Sequence, residues 1–225
     1  MFNNIAKNYD LLNHCLSFGM DFYWRKKAIQ YLTNKPKNIL DIATGTADFA
    51  ISASKIKNVK IIGIDISEGM INVGKKKIIK KKLEKNINLQ IADSENLPFE
   101  DNKFDAITAG FGVRNFEDLE KGLSEMNRVL NTNGIVVILE PSKPKYFPLK
   151  QIYHIYFHQI LPLIGKIISK DNSAYTYLPN SVDVFPSGNN FINYLENVGF
   201  TKCQHIPLTF GIVDLYIAIK EWKKR

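Results

Sequence analysis

Five short apolar runs punctuate the middle of the chain, at residues 38–43, 60–66, 88–92, 104–110 and 134–140. Each has the length of a buried strand and is too short for a helix. The gaps between them fit helices. Across 116–130, Phe116, Leu119, Leu123, Met126 and Leu130 fall on one face, the stripe of a helix lying on a sheet. Ser67 is placed to cap the helix that follows the second run. Strands separated by helices predict a mostly parallel, doubly wound α/β sheet. The tail reads differently. Phe191 to Val198 predicts a helix closed by Gly199, and Cys203–Leu208 and Ile212–Ile219 predict two strands joined near Thr209-Phe210-Gly211. So short a connection favours an antiparallel pair.

Two segments lie outside this pattern. Residues 1–37 predict a helical N-terminal cover, and 141–188 a helical insertion. The apolar run from Ile152 to Ile168 is broken by Pro162 and dotted with Lys150, His154, His158 and Lys166, so it is too polar to span a bilayer. It reads either as a lid over the pocket, carrying substrate contacts, or as a peripheral helical pair. The expected organisation is one domain over 1–225, with a cofactor-binding core at 38–140 and a closing helix and hairpin at 189–225.

Composition narrows the class. The length, 225 residues, suits one domain, and 45% apolar residues supply a large core. No run of 18 apolar residues occurs, and Met1-Phe2-Asn3-Asn4 lacks the basic and apolar regions of a signal peptide. Cys15 and Cys203 form no C-x-x-C pair, which predicts a reduced, cytoplasmic compartment. The net charge of +8 is concentrated in Lys75-Lys76-Lys77, Lys80-Lys81-Lys82 and Lys85, with Ile78, Ile79 and Leu83 interleaved. That run reads as a solvated helix face over an apolar stripe. The sharper alternative is transient, peripheral contact with an anionic membrane surface.

The candidate chemistry sits where the first run ends, in Asp41-Ile42-Ala43-Thr44-Gly45-Thr46-Ala47-Asp48, with Asp65 closing the second run about 20 residues on. A carboxylate there is placed to accept both hydroxyls of a ribose. The turn keeps one glycine, Gly45, instead of G-x-G-x-x-G, and contains no G-x-x-x-x-G-K-[ST]. A ligand without phosphate, such as S-adenosylmethionine, makes a weaker demand: one close backbone approach at Gly45, and polar groups such as Asp41 and Thr46 for its amino-acid end. The alternative is an ordinary strand-to-helix turn. Ligands of doubly wound sheets bind at the carboxyl ends of the strands, where Asp41, Asp65, Asp93 and Gly110 fall.

Further motifs give a resemblance. Tyr9-Asp10-x-x-Asn13-x-x-Leu16-Ser17 with Trp24 following, Gly110-Phe111-Gly112-Val113-Arg114-Asn115, Arg128-Val129-Leu130 leading to Glu140-Pro141-Ser142, and Tyr177-Leu178-Pro179-x-Ser181 with Phe185-Pro186 resemble the demethylmenaquinone and ubiquinone C-methyltransferases along nearly the whole chain. Asn131-Thr132-Asn133-Gly134, Asp21 and Ala47 depart from that family's usual residues.

The resemblance implies a Rossmann-like class I methyltransferase fold and methyl transfer from S-adenosylmethionine to the ring of a prenylated quinol. Demethylmenaquinol is the preferred substrate, because the Ala-Thr-Gly-Thr turn looks more like the menaquinone members; a ubiquinone precursor is the alternative. It implies cofactor contacts from Asp65 and Ile66 at the ribose, Asp93 and Ser94 at the adenine, Gly45 and Thr46 at the methionine end, and Gly110 at the floor. Arg114 and Asn115 become the catalytic candidates, since a guanidinium can stabilise a phenolate. Arg114 otherwise reads as a salt-bridge partner of Glu117 or Asp118. Tyr9, Asp10 and Asn13 either close over the cofactor or pack the first helix. His154 and His158 have the i, i+4 spacing of a zinc pair, but Ile155 stands where H-E-x-x-H needs Glu, so no metal is expected. Nucleic acid is not the expected partner, because no Asn/Asp-Pro-Pro-Tyr/Phe follows the fourth run and neither cysteine suits a cytosine C5 enzyme. A homodimer is compatible with the sequence.

Overall fold

The computed structural model describes Asn3, Ala6, residues 9–156, Gln159 and residues 173–222. Helices α1 (Tyr9–Leu16) and α2 (Met20–Ile29) precede β1 (Asn38–Ile42). Then come α3 (Asp48–Ala53), β2 (Lys60–Asp65), α4 (Glu68–Lys80), β3 (Ile87–Ile91), β4 (Phe104–Gly110), α5 (Leu119–Val129) and β5 (Leu130–Pro141). The chain continues through α6 (Leu149–Ile155), α7 (Ser173–Val184), α8 (Asn189–Asn197), β6 (Thr201–Leu208) and β7 (Val213–Ile219).

The strands form one sheet in the order β3-β2-β1-β4-β5-β7-β6. β1 to β5 pair in parallel, and β7 enters antiparallel between β5 and β6. The strand order reverses between β1 and β4, so the crevice for a ligand opens at their carboxyl ends. Apolar side chains cover both faces of the sheet. Trp24, Ala28, Phe49, Ile71 and Ile78 pack on one, with Leu123, Met126, Phe191 and Leu195 on the other.

The expected strands fall within a few residues of those observed, and the doubly wound core with an antiparallel finish is present. Ser67 caps α4, accepting the Met70 N–H at 3.3 Å. Three details differ. β5 begins at Leu130, directly after α5, so Leu130 belongs to a strand; Asn133 takes the positive φ that the departing turn demands, at 62°. Phe116 precedes α5 rather than belonging to it. Along α4 the buried stripe is Met70, Ile71, Gly74 and Ile78, whereas Ile79 is exposed among the lysines. Pro162, Lys166, His158 and most of the apolar run after Tyr156 lie outside the described residues.

Candidate active site

The β1–α3 turn is organised by a buried carboxylate. Asp41 is fully buried and accepts hydroxyl hydrogen bonds from Thr44 at 2.5 Å and Thr108 at 2.6 Å. Burial pushes its carboxyl up to about 6, against the pull of those donors. Asp41 forms part of a cavity wall, but its hydrogen bonds make it the brace of the turn rather than an open group. The turn then runs through Ala43, Gly45 and Ala47 at φ of 50°, 54° and 70°. A Cβ built on Gly45 meets nothing within 4 Å, so the space above this backbone is open, as a close-lying ligand requires.

Asp65 ends β2 beside this turn. One oxygen accepts the Gly45 N–H and the other the Ser67 N–H, both at 2.8 Å. Burial raises its pKa while those two bonds oppose the shift. The carboxylate is thus fixed in place with lone pairs remaining, as a ribose diol needs. Ile66 beside it is exposed, an apolar surface next to the carboxylate. Beyond β3, exposed Asp93 accepts the Glu95 N–H at 2.9 Å, and Ser94 is half-buried. β2 and β3 are neighbours with Asp65 opposite Ile91, so these residues share one edge of the crevice with Asp65. Gly110 lines the floor, and a Cβ there would meet the Phe49 ring at 2.9 Å.

Two chambers meet at this edge of the sheet. The smaller, about 40 Å³, is lined by Gly45, Thr46, Asp48 and Gly110 among others. The larger, about 490 Å³, is walled by Phe18, Met20, Trp24, Leu149, Ile152, Tyr153, Pro141 and Val213. Tyr9, Asn13, Arg25 and Phe111 belong to both. The first is polar and abuts the glycine turn; the second is mainly apolar.

Arg114 enters the wall of the larger chamber from the short helical turn Val113–Asn115. Its partner is neither Glu117 nor Asp118. Asp118 caps α5, and Glu117 donates its N–H to Glu95. The guanidinium instead pairs with Glu140 at 3.1 Å, donates to the Phe111 carbonyl, and donates through Nε to the Ser181 hydroxyl at 3.2 Å. Glu140 is fully buried at the end of β5 and also accepts the Val113 N–H at 2.7 Å. Burial raises its pKa, and Arg114 works against that shift. The Asn115 side-chain oxygen accepts the Tyr177 hydroxyl at 2.9 Å, one turn of α7 from Ser181, and Asn115 is not among the residues lining the two chambers. Arg114 and Asn115 thus both reach α7, through Ser181 and Tyr177, and Arg114 lines the larger chamber.

Helix α1 closes over the turn. Asp10 accepts from the Thr46 hydroxyl and pairs with Lys77 of α4 at 2.7 Å; Lys77 also reaches Asp48 at 2.5 Å. One lysine of the basic run is therefore structural. Asp21, on α2, is buried and binds Arg25, Ser17 at 2.8 Å and His14 at 2.7 Å. Burial opposes its charge, but Arg25, Ser17 and His14 prevail and hold the carboxyl below its usual range. Glu140, Lys77 and the aromatic wall had no assigned function in the sequence reading. The Glu-Pro-Ser motif marked Glu140, but nothing in spacing pairs residues 114 and 140.

The model of the "ubiE/COQ5 methyltransferase family" matches residues 1–220. The chain is 53% identical to a demethylmenaquinone methyltransferase of Bacteroides fragilis over 98% of this chain and 91% of that one. It is 45% identical to a demethylmenaquinone methyltransferase of Chlorobaculum tepidum, covering 98% and 90%. It is 47% identical to a ubiquinone/menaquinone biosynthesis C-methyltransferase of Geotalea daltonii, covering 98% and 94%. Among solved structures, a SAM-dependent methyltransferase from Aquifex aeolicus shares the fold, with a TM-score of 0.63 at 19% identity over 87% and 88% of the two chains.

Proposed function

The chain belongs to the ubiE/COQ5 methyltransferase family, and from that premise we propose that it methylates a ring carbon of a prenylated quinol, demethylmenaquinol, in menaquinone biosynthesis. One observation carries the reading beyond family membership: a polar chamber at the glycine turn opens beside a larger apolar one whose wall holds a buried guanidinium.

S-adenosylmethionine is the methyl donor, and when bound it supplies a methyl already electrophilic enough to need no activation. The turn fits it, with an open backbone at Gly45 and a fixed acceptor at Asp65. Asp65 with Ile66 would hold the ribose, Asp93 and Ser94 the adenine edge, Gly45 and Thr46 the methionine end, and Gly110 the floor. Asp41 acts through the turn it braces.

The protein's remaining task is the ring. A hydroquinone carbon becomes nucleophilic when a neighbouring hydroxyl loses its proton. Arg114 stabilises that oxyanion from the chamber wall, where low dielectric strengthens the interaction. Glu140 holds the guanidinium in place. Asn115 supports the α7 side through Tyr177. The apolar wall accepts the ring and the start of the tail.

Among the described residues no helix is long and apolar enough to cross a membrane. Phe18, Tyr146, Phe147 and Phe210 are exposed, and Lys145 and Lys150 stand beside two of them. This supports a cytoplasmic protein that touches an anionic membrane surface peripherally to collect its substrate. The insertion after 141 contributes α6 to the chamber wall, which favours a substrate-covering role for it over peripheral packing.

The Geotalea relative's name covers ubiquinone as well, so ubiquinone precursors are the second reading. Purified protein with labelled methyl donor and each reduced precursor, analysed by mass, tests both. Methylated demethylmenaquinol is the expected product. Equal rates with quinone and quinol would overturn the phenolate mechanism.

A further inference from the structure

Arg25 has an unused edge. The residue is 7% exposed, yet its Nε is buried with no hydrogen-bond partner among the described residues. The same guanidinium lies in the wall shared by the two chambers. Its Nη2 already serves Asp21, and Asp48 lies 3.8 Å away. A buried, charged donor without an acceptor is costly, and native proteins seldom leave one so. Among the described residues no acceptor reaches that nitrogen, and the residue lines both cavities.

We infer that Arg25 binds the α-carboxylate of the methyl donor's amino-acid end through its guanidinium. This rests on S-adenosylmethionine being the donor, and it adds a residue that neither the turn nor the β2 acid provides. The smaller chamber joins Arg25 to Gly45 and Thr46, where the methionine end is proposed to lie. A guanidinium suits a carboxylate because its donors form a planar fork. The charge pattern also matches a zwitterion, since the same chamber carries Asp48, an acceptor suited to the α-ammonium. Asp21 keeps the guanidinium oriented by taking Nη2, and Nε is left unpaired among the described residues. Trp24 and Ala28, neighbours on α2, are buried in the core and fix the backbone that presents it. A solvated surface arginine would lose much more freedom on binding.

The test compares two ligands by calorimetry. S-adenosylhomocysteine carries the amino-acid end; 5′-methylthioadenosine keeps the nucleoside and thioether but lacks it. In Arg25→Gln and Arg25→Lys, affinity for the first should fall at least about tenfold, the lower bound for a lost charge-assisted hydrogen bond. Affinity for the second should stay within about twofold, well below a single hydrogen bond's worth. Equal losses for both ligands would make Arg25 a structural residue only. Unchanged binding of both, with a raised KM for the quinol, would place the free edge in the larger chamber. Either outcome overturns the inference. Should Arg25→Gln fail to fold, Arg25→Lys keeps the charge near Asp21 and lacks only the fork, so the ligand comparison still decides. Failure of wild-type protein to bind either nucleoside would instead refute the donor assignment itself.

Discussion

Removing Arg114 should expose how strongly the pair with Glu140 governs the cavity. The two charges are 3.1 Å apart, with side-chain exposures of 7% and 0%. At an effective dielectric near 20, their gross attraction is about 5 kcal/mol. Arg114→Ala leaves Glu140 buried without its cation, and breaking one side of a buried pair costs about 3–5 kcal/mol. Glu140 can lower this cost by taking up a proton. Its native pKa is already raised by burial and rises further once Arg114 is gone. An acid whose folded pKa exceeds the unfolded one gives stability that is complete below the unfolded pKa and lost as pH rises through the folded value. The variant's deficit should therefore be small near pH 4–5 and approach about 3 kcal/mol by pH 8, the lower end of the buried-pair range. Urea denaturation of wild type, Arg114→Ala, Glu140→Gln and the double variant across that pH range measures it. The double variant should be more stable at pH 8 than Arg114→Ala. Kinetics add a second readout: Arg114→Ala should lower turnover far more than donor affinity. A deficit independent of pH would refute the electrostatic argument, and a variant that loses only donor affinity would refute the catalytic role.

Further outcomes follow from the turn and its cover. Asp65→Ala should weaken donor binding by about 1.5–3 kcal/mol, the range for hydrogen bonds to charged groups; calorimetry checks this, and an unchanged dissociation constant would remove Asp65 from the ribose site. Asp41 titrates near 6 in the fold and from 3.8 ordinarily, so it contributes stability below the lower value that disappears as pH rises through the upper. Between pH 4.5 and 7.5 that loss is about 2 kcal/mol, at 1.36 kcal/mol per unit. Asp41→Asn should remove that part of the pH dependence in urea titrations, and an identical slope would show the carboxylate to be charged throughout. Lys77→Met releases α1 from α3 and should speed donor exchange in stopped-flow fluorescence, with a stability cost of only about 1 kcal/mol for so partly exposed a pair.

The sheet was legible because its strands are apolar runs that differ from the flanking helices in period. The place of Asp65 beside the turn was legible because the acid ends an apolar strand some 20 residues beyond the glycine. Glu140 and Arg114 meet only because β4 and β5 lie side by side with Gly110 opposite Leu139. A contact set by strand register cannot be read from one residue's neighbours in sequence. The partner of Asn115 was hidden for a related reason. Tyr177 lies on α7, 62 residues along the chain, where it and Ser181 meet Asn115 and Arg114. The large cavity was equally hidden, since its walls come from α1, α2, α6 and the β6–β7 connection, brought together from both ends of the chain.

Tyr9, Asn13, Arg25 and Phe111 are each a wall of both compartments. A shift in any of them made by the nucleoside's arrival is felt by the lipid-soluble reactant, and equilibrium linkage makes the effect reciprocal. Each reactant should accordingly change the affinity for the other by the same factor. The demethylated nucleoside left behind should likewise alter the affinity for the finished product, so the four shared side chains join the two binding equilibria as well as the two chambers.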